Sequence, residues 1–196
     1  MKILAFADVH GDRATVLKLV ARAKKDDIDV VVCAGDFTVF EGQTKGVLKD
    51  LDSIGKTVLI IPGNHESPKS IEKEIKHCRN LISIHKKMWK HNGIVFLGWG
   101  TDGFSRRNSD FRDAIRSLKP QLGNEKIVLV THAPPHGTSL DRLEEHVGNK
   151  DIRAAIERIQ PVLAVSGHIH ETEGKQYKIG KTLCVNPGWK GMVLTV

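Results

Sequence analysis

Short runs rich in Val and Ile recur along the chain, and stretches with helical spacing fall between them. The runs cover residues 3–7, 28–34, 57–61, 94–97, 127–131, 162–165, 182–185 and 192–196. Their length and β-branched content make buried strands the expectation. Ile152, Ala155, Ile156 and Ile159 recur at i, i+3, i+4 and i+7, with Asn149 as N-cap and Pro161 past the end. Phe111, Ala114, Ile115 and Leu118 repeat that spacing. Val16, Leu17 and Val20 give a further apolar face, and so do Val47, Leu48 and Leu51. Ile71, Ile75 and Cys78 give another, opened by Ser67 as cap and Pro68 as first helical residue. Past Gly180, strands joined by short turns are expected. No repeat, low-complexity tract or linker breaks the pattern, so residues 1–196 read as a single α/β domain.

A chain of 196 residues buries roughly 70% of its unfolded surface, so no disulfide or metal staple is needed for a core. Hydrophobic residues make up 40% and charged residues 27%, which excludes disordered and collagen-like classes. The longest wholly apolar stretch, residues 30–34, is far below the ~20 residues of a membrane helix. The run over 3–7 stops at Asp8, too short for the apolar region of a signal peptide. Cys33, Cys78 and Cys184 show no paired spacing, which fits a reducing cytoplasm, with Cys33 and Cys184 as core fillers. The net charge of +7 comes from scattered pairs such as Lys24-Lys25 and Arg106-Arg107. It reads as a solvated surface and does not indicate nucleic-acid binding, for which aromatic platforms are also scarce.

The residues just past these runs are more informative. The first run leads to Asp8-Val9-His10, the second to Gly35-Asp36 and the third to Gly63-Asn64-His65-Glu66. Residues 127–131 lead to His132, and 162–165 to Gly167-His168-Ile169-His170. Ligand sites in α/β sheets lie outside the carboxyl ends of strands, so these groups are expected on one edge. Gly11, Gly35, Gly63 and Gly167 suit sharp turns where backbone comes close to a site. Imidazole, carboxylate and amide oxygen without thiolate form a donor set for a pair of divalent cations, and disfavour a structural zinc cage. Manganese is the first expectation, with nickel, iron, cobalt or zinc as alternatives. One carboxylate would serve as the bridging anion.

Asp8-x-His10, Gly35-Asp36, Gly63-Asn64-His65-Glu66, Thr131-His132 and Gly167-His168-x-His170 run in order over most of the chain. The series resembles the calcineurin-like metallophosphoesterase superfamily. The size and the Thr131-His132-Ala133-Pro134-Pro135 segment are similar to its compact bacterial and archaeal phosphodiesterases. The resemblance implies an α/β fold, a four-layer αββα sandwich of two mixed β-sheets flanked by helices. It also implies Asp8, His10, Asp36 and His170 on one metal and Asp36, Asn64, His132 and His168 on the other, with Asp36 as bridge. The reaction it implies is in-line attack on phosphorus by a hydroxide bridging the cations. His65, without a metal in that scheme, is expected to assist the leaving oxygen. Glu66 either holds that imidazole or caps the following helix.

Other signals weigh less. Residues 98–103 match GxGxxG, but no helical pattern opens at Gly103, so a loop over the site is expected. Arg106, Arg107 and His136 are the candidate substrate contacts, against a reading of each as an ordinary loop residue. His77, His85, His91 and His146 read as surface or edge residues. Asn186-Pro187-Gly188 resembles a turn near the site in the compact relatives. Phe37-Thr38-Val39 stand after the second motif where protein serine/threonine phosphatases carry an Asp-Arg pair. That departure, with the small size, favours a phosphodiesterase acting on a small phosphate ester or nucleotide. A phosphomonoesterase, a nuclease and a non-catalytic scaffold of the same fold are the alternatives.

Overall fold

A computed structural model describes residues 1–25, 27–39 and 43–196. Two sheets stack face to face. The first has the order β11-β1-β2-β3-β4, from Met192–Thr195, Lys2–Phe6, Val30–Cys33, Val58–Ile60 and Leu81–Ser83. The second has the order β5-β6-β7-β8-β10-β9, from Lys87–His91, Ile94–Trp99, Lys126–Thr131, Leu163–Val165, Thr182–Val185 and Gln176–Ile179. Each is parallel in its interior and antiparallel at an edge: β11 runs against β1, β5 against β6, and β9 against β10. Helices α1 (Arg13–Lys25), α2 (Thr44–Asp52) and α3 (Pro68–Ile75) cover the first sheet, and α4 (Ser109–Leu118) and α5 (Lys150–Ile159) the second. The result is the expected four-layer αββα sandwich.

The two-residue period of a strand explains how both faces are filled. Ile3, Ala5 and Ala7 point between the sheets to meet Phe96, Val128 and Val130, while Leu4 and Phe6 point outward to Val16, Leu19 and Leu48. Val95, Leu97 and Leu129 face the other way, toward Phe111, Ile152 and Ile156. Strands apolar on both faces are what a sheet sandwiched between layers requires. All the expected helices form. Asn149 caps α5 by accepting the N–H groups of Asp151 and Ile152. Ser67 precedes Pro68 as expected, but its side chain makes no capping bond. Leu17 does not join the α1 face: it is 46% exposed, and Leu19 and Ala23 take its place.

Strands β4, β5 and β9 were not apparent as apolar runs. Each is a sheet edge, where one side of the backbone faces water and Lys, His and Gln are admitted. The run after Gly180 likewise splits: β10 closes on the second sheet, and β11 crosses back to the first.

Candidate metal centre

The carboxyl ends of β1, β2 and β3 meet those of β7 and β8 where the two sheets share an edge. The loop after β1 is zipped to the loop after β2, with Asp8 N–H donating to Gly35 O, His10 N–H to Asp36 O and Gly11 N–H to Phe37 O. In the second sheet, Gly167 N–H after β8 donates to His132 O after β7. The His168 N–H donates to both oxygens of Asp8, at 3.1 and 2.9 Å. The seven expected ligand residues are thereby gathered at one place.

Three overlapping groups have ligand atoms within 4.8 Å of one another: Asp8, His10 and His170; His10, Asp36 and His65; and Asp36, His132 and His168. Asp36 belongs to two of them. Its Oδ1 accepts the His65 N–H at 3.0 Å, and its Oδ2 stands 3.3 Å from His132 Nε2 and 3.9 Å from His65 Nε2. Asn64 joins through Oδ1, 3.0 Å from His132 Nε2. The Nε2 atoms of His10 and His170 are 3.0 Å apart. His65 falls inside a ligand-capable group, although the resemblance leaves it free of metal; its side chain is half-exposed and edge-on to His10.

The backbone bears strain at this point. Asp8, His10, Asp36 and His168 all have positive φ, between 45° and 71°, a region that costs non-glycine residues energy and that clusters at functional sites. Glycines give the room. A Cβ at Gly63 would strike Asp36 Oδ1, and one at Gly167 would lie 2.6 Å from Asp8 Oδ2.

The donors fit a cation. His132 Nδ1 lies 2.9 Å from the Ala34 carbonyl, which can only accept, so Nδ1 carries a proton and Nε2 is left as the atom to meet a cation. Nε2 faces the Asp36 carboxylate and the Asn64 amide oxygen. Burial lowers the ring's pKa, but the Asp36 carboxylate outweighs it and raises it. His168 Nε2 is buried and has no partner, a cost a bound cation removes. Burial lifts the Asp8 carboxyl to about 6, against the pull of the His132 ring and with a push from Asp36. Burial also holds His168 down at about 4, helped by His132. Crowded carboxylates and imidazole nitrogens are the environment a divalent ion stabilises.

Glu66 does neither of the two expected things. Its carboxylate is buried and accepts the N–H groups of Asp36, Thr38 and Gly63 and the Thr38 hydroxyl, tying the loop after β2 to the loop after β3. Asp141, not singled out from sequence, plays the same part in the loop after β7, accepting the N–H groups of Gly137, Thr138 and Gly148 and facing His146 at 2.8 Å.

The candidate substrate contacts all lie in loops. Arg106 is engaged by Glu145 at 2.7 Å, Arg107 is exposed, and His136 lies 3.6 Å from Asp141. No helix opens at Gly103. Gly98 and Gly100 let their strand end pass close to the backbone of Ile84 and Pro62. The adjoining loop does reach the site: Phe104 packs edge-on against His168, ring centroids 4.4 Å apart, while staying 63% exposed. His85 is half-buried and accepts the Gly100 N–H, and His77 and His91 are exposed.

Residues 1–172 match the profile of the calcineurin-like phosphoesterases. The chain belongs to that family. An uncharacterized protein of Methanocaldococcus jannaschii, MJ1162, is 33% identical over 97% of this chain and 89% of its own length. Among solved structures, TT1561 of Thermus thermophilus superposes with a TM-score of 0.81, covering 96% of this chain and 90% of that one at 15% identity. A dimetal phosphatase from Danio rerio gives 0.69, covering 94% and 86% at 12% identity. Family membership makes the chain a metal-dependent phosphoric ester hydrolase by descent, and the His and Asp groups are placed to hold metal. No helix among the described residues is long and apolar enough to cross a membrane.

Proposed function

We propose that the chain hydrolyses phosphodiesters with the help of two divalent cations. One observation carries the reading: the Asp36 carboxylate stands in one ligand group with His10 and in another with His132 and His168. Of the two residues shared between groups, His10 and Asp36, it is the one that offers two oxygens to a pair of ions. Asp8, His10, Asp36 and His170 would hold one ion, and Asp36, Asn64, His132 and His168 the other. The likeness in fold to a dimetal phosphatase supports a count of two. The donors are imidazole, carboxylate and amide with no thiolate, which suits borderline divalent ions; manganese is the ion proposed, with nickel, iron, cobalt or zinc as alternatives. When bound, such ions act as Lewis acids toward phosphoryl oxygens and lower the pKa of water.

The chain's own residues supply the rest. His132 is locked in one tautomer by Ala34. Glu66 fixes the Asp36 backbone, so the bridging carboxylate is oriented before substrate arrives. His65, on the exposed lip beside Asp36, gives its proton from Nε2 to the departing ester oxygen. Among the described residues, the polar contacts at the cluster are made by Asp, Asn and His, and Arg106 is occupied by Glu145. A dianionic monoester is best held by a guanidinium fork; a singly charged diester has less need of one. The three cysteines are free, two of them buried, which supports a cytoplasmic setting.

The test is metal analysis of the freshly purified protein, followed by turnover of bis(4-nitrophenyl) phosphate, 4-nitrophenyl phosphate and single-stranded DNA with Mn²⁺. Fastest turnover of the diester is expected. Faster turnover of the monoester or of DNA would reassign the substrate. No hydrolysis of any activated ester with Mn²⁺ or Ni²⁺ would leave a scaffold.

A further inference from the structure

Trp189 is exposed at 38% and lines a cleft of about 390 Å³ together with Asp8, His10, His170 and Glu173. One wall of this cleft is therefore a ligand-capable group and another is an indole. Among the described residues the large aromatic side chains left exposed are Phe104, Tyr177 and Trp189, and the first and last border the metal centre. Single exposed apolar residues are ordinary. A tryptophan held rigidly in the same cleft as metal ligands calls for more.

The turn carrying it is fixed at both ends. Asn186 donates through Nδ2 to Ile169 O and Thr172 Oγ1, and its Oδ1 accepts the Gly188 N–H. Ala7 N–H donates to Gly188 O and Gly191 N–H to the same oxygen. Arg22 donates to the carbonyls of Lys190 and Gly191. Glu173 lines the cleft beside Trp189, and Lys190 Nζ lies 5.0 Å from the ring centroid. A ring held in this way loses little entropy when something stacks on it.

Resting on the phosphoesterase reading above, we propose that Trp189 is a specificity-determining residue, a platform for a planar ring carried on an ester arm of the substrate. A nucleobase and a synthetic aryl group share that chemistry. With phosphate at the metal centre, the ring reaches the indole through the cleft while Lys190 shifts or sandwiches it. The substrate class is thus an aromatic or nucleoside phosphodiester rather than an alkyl one.

Adenosine 5′-monophosphate and ribose 5-phosphate differ by the base and share the phosphate, so they separate stacking from phosphate binding. Binding to the Mn²⁺-supplemented protein is measured by calorimetry and by quenching of indole fluorescence. The nucleotide is expected to bind about tenfold or more tightly than the sugar phosphate, as one stacked base allows. Trp189→Leu is expected to close that gap and Trp189→Phe to keep most of it. Thermal unfolding checks that the variants fold, with Trp189→Gln as a second replacement. Equal binding of the two ligands by the parent protein, or a gap that survives Trp189→Leu, overturns the proposal. A gap that depends on Trp189 in a protein that turns over no ester would instead sink the phosphoesterase reading and leave the aromatic platform in place.

Discussion

Glu66 Oε2 accepts the backbone N–H of Asp36 at 3.0 Å, thirty residues away in sequence. The same oxygen takes the Gly63 N–H at 2.7 Å, and Oε1 takes two further donors from Thr38. One buried carboxylate thus sets the spacing of two loops that both carry ligand residues. Glu66→Gln keeps the shape but offers one oxygen where two accept, and turns an N–H group toward a donor. Loss of about 2–4 kcal/mol of stability is expected from buried groups left unsatisfied, with weaker Mn²⁺ binding because Asp36 is no longer fixed. Urea unfolding and a Mn²⁺ titration check this; a variant matching the parent in both would refute the clasp.

His65→Ala should separate metal binding from turnover. The side chain is half-exposed, so stability should change by less than about 0.5 kcal/mol. Metal content should stay at the parental level, while kcat on a diester falls about 10²- to 10⁴-fold, the usual worth of a proton donor. The fall should be smaller for esters whose leaving group needs no proton. Loss of metal in this variant would instead make His65 a ligand, a role its place beside His10 and Asp36 permits.

Asp36→Asn should behave in the opposite way. The amide keeps the volume and loses the charge, so a group shared between two ions can no longer neutralise them. Metal content per chain should drop together with activity, and added Mn²⁺ should restore only part of either. Full occupancy in the purified variant, by elemental analysis, contradicts the bridge.

Much of this architecture is legible in the chain because buried strands and their ends carry strong signals. Val30, Val31 and Val32 could hardly be anything but a buried strand, and Asp36 comes where the strand must stop. Of the edge strands only β11 is legible as an apolar run; β5 is not, because Lys87 and Lys90 sit where one side faces water and no apolar run is required. Nor is the part played by Glu66. A carboxylate next to a catalytic-looking histidine invites a pairing with it, whereas most of its donors, the Asp36 N–H and the N–H and hydroxyl of Thr38, are brought close only by the β2–β3 register. Asp141 and Trp189 share that difficulty: each stands in an ordinary loop, and only tertiary contact gives it a task. The exposed Leu17 shows the limit from the other side, since a run of adjacent apolar residues does not say which one the helix turns outward.

Asp141 offers a pH test clear of the metal centre. Burial pushes its carboxyl up, but the N–H of Thr138, the His146 ring and the N–H groups of Gly148 and Gly137 outweigh it, and the group ends below its ordinary value of 3.8. The folded protein therefore gives up this proton more readily than the unfolded chain does. Stability from Asp141 is fully present above pH 3.8 and is lost as pH falls through the lower folded value. Asp141→Asn replaces an acceptor of several bonds with a group that can satisfy only some of them, and should cost about 2–4 kcal/mol at pH 7. As pH falls through the lowered folded value the parent carboxyl itself takes up a proton, and the two proteins should converge. Urea unfolding at pH 7 and in steps into the acid range measures the gap directly. A difference between parent and variant that stays constant with pH would mean that the loop after β7 is held by shape and not by this charge.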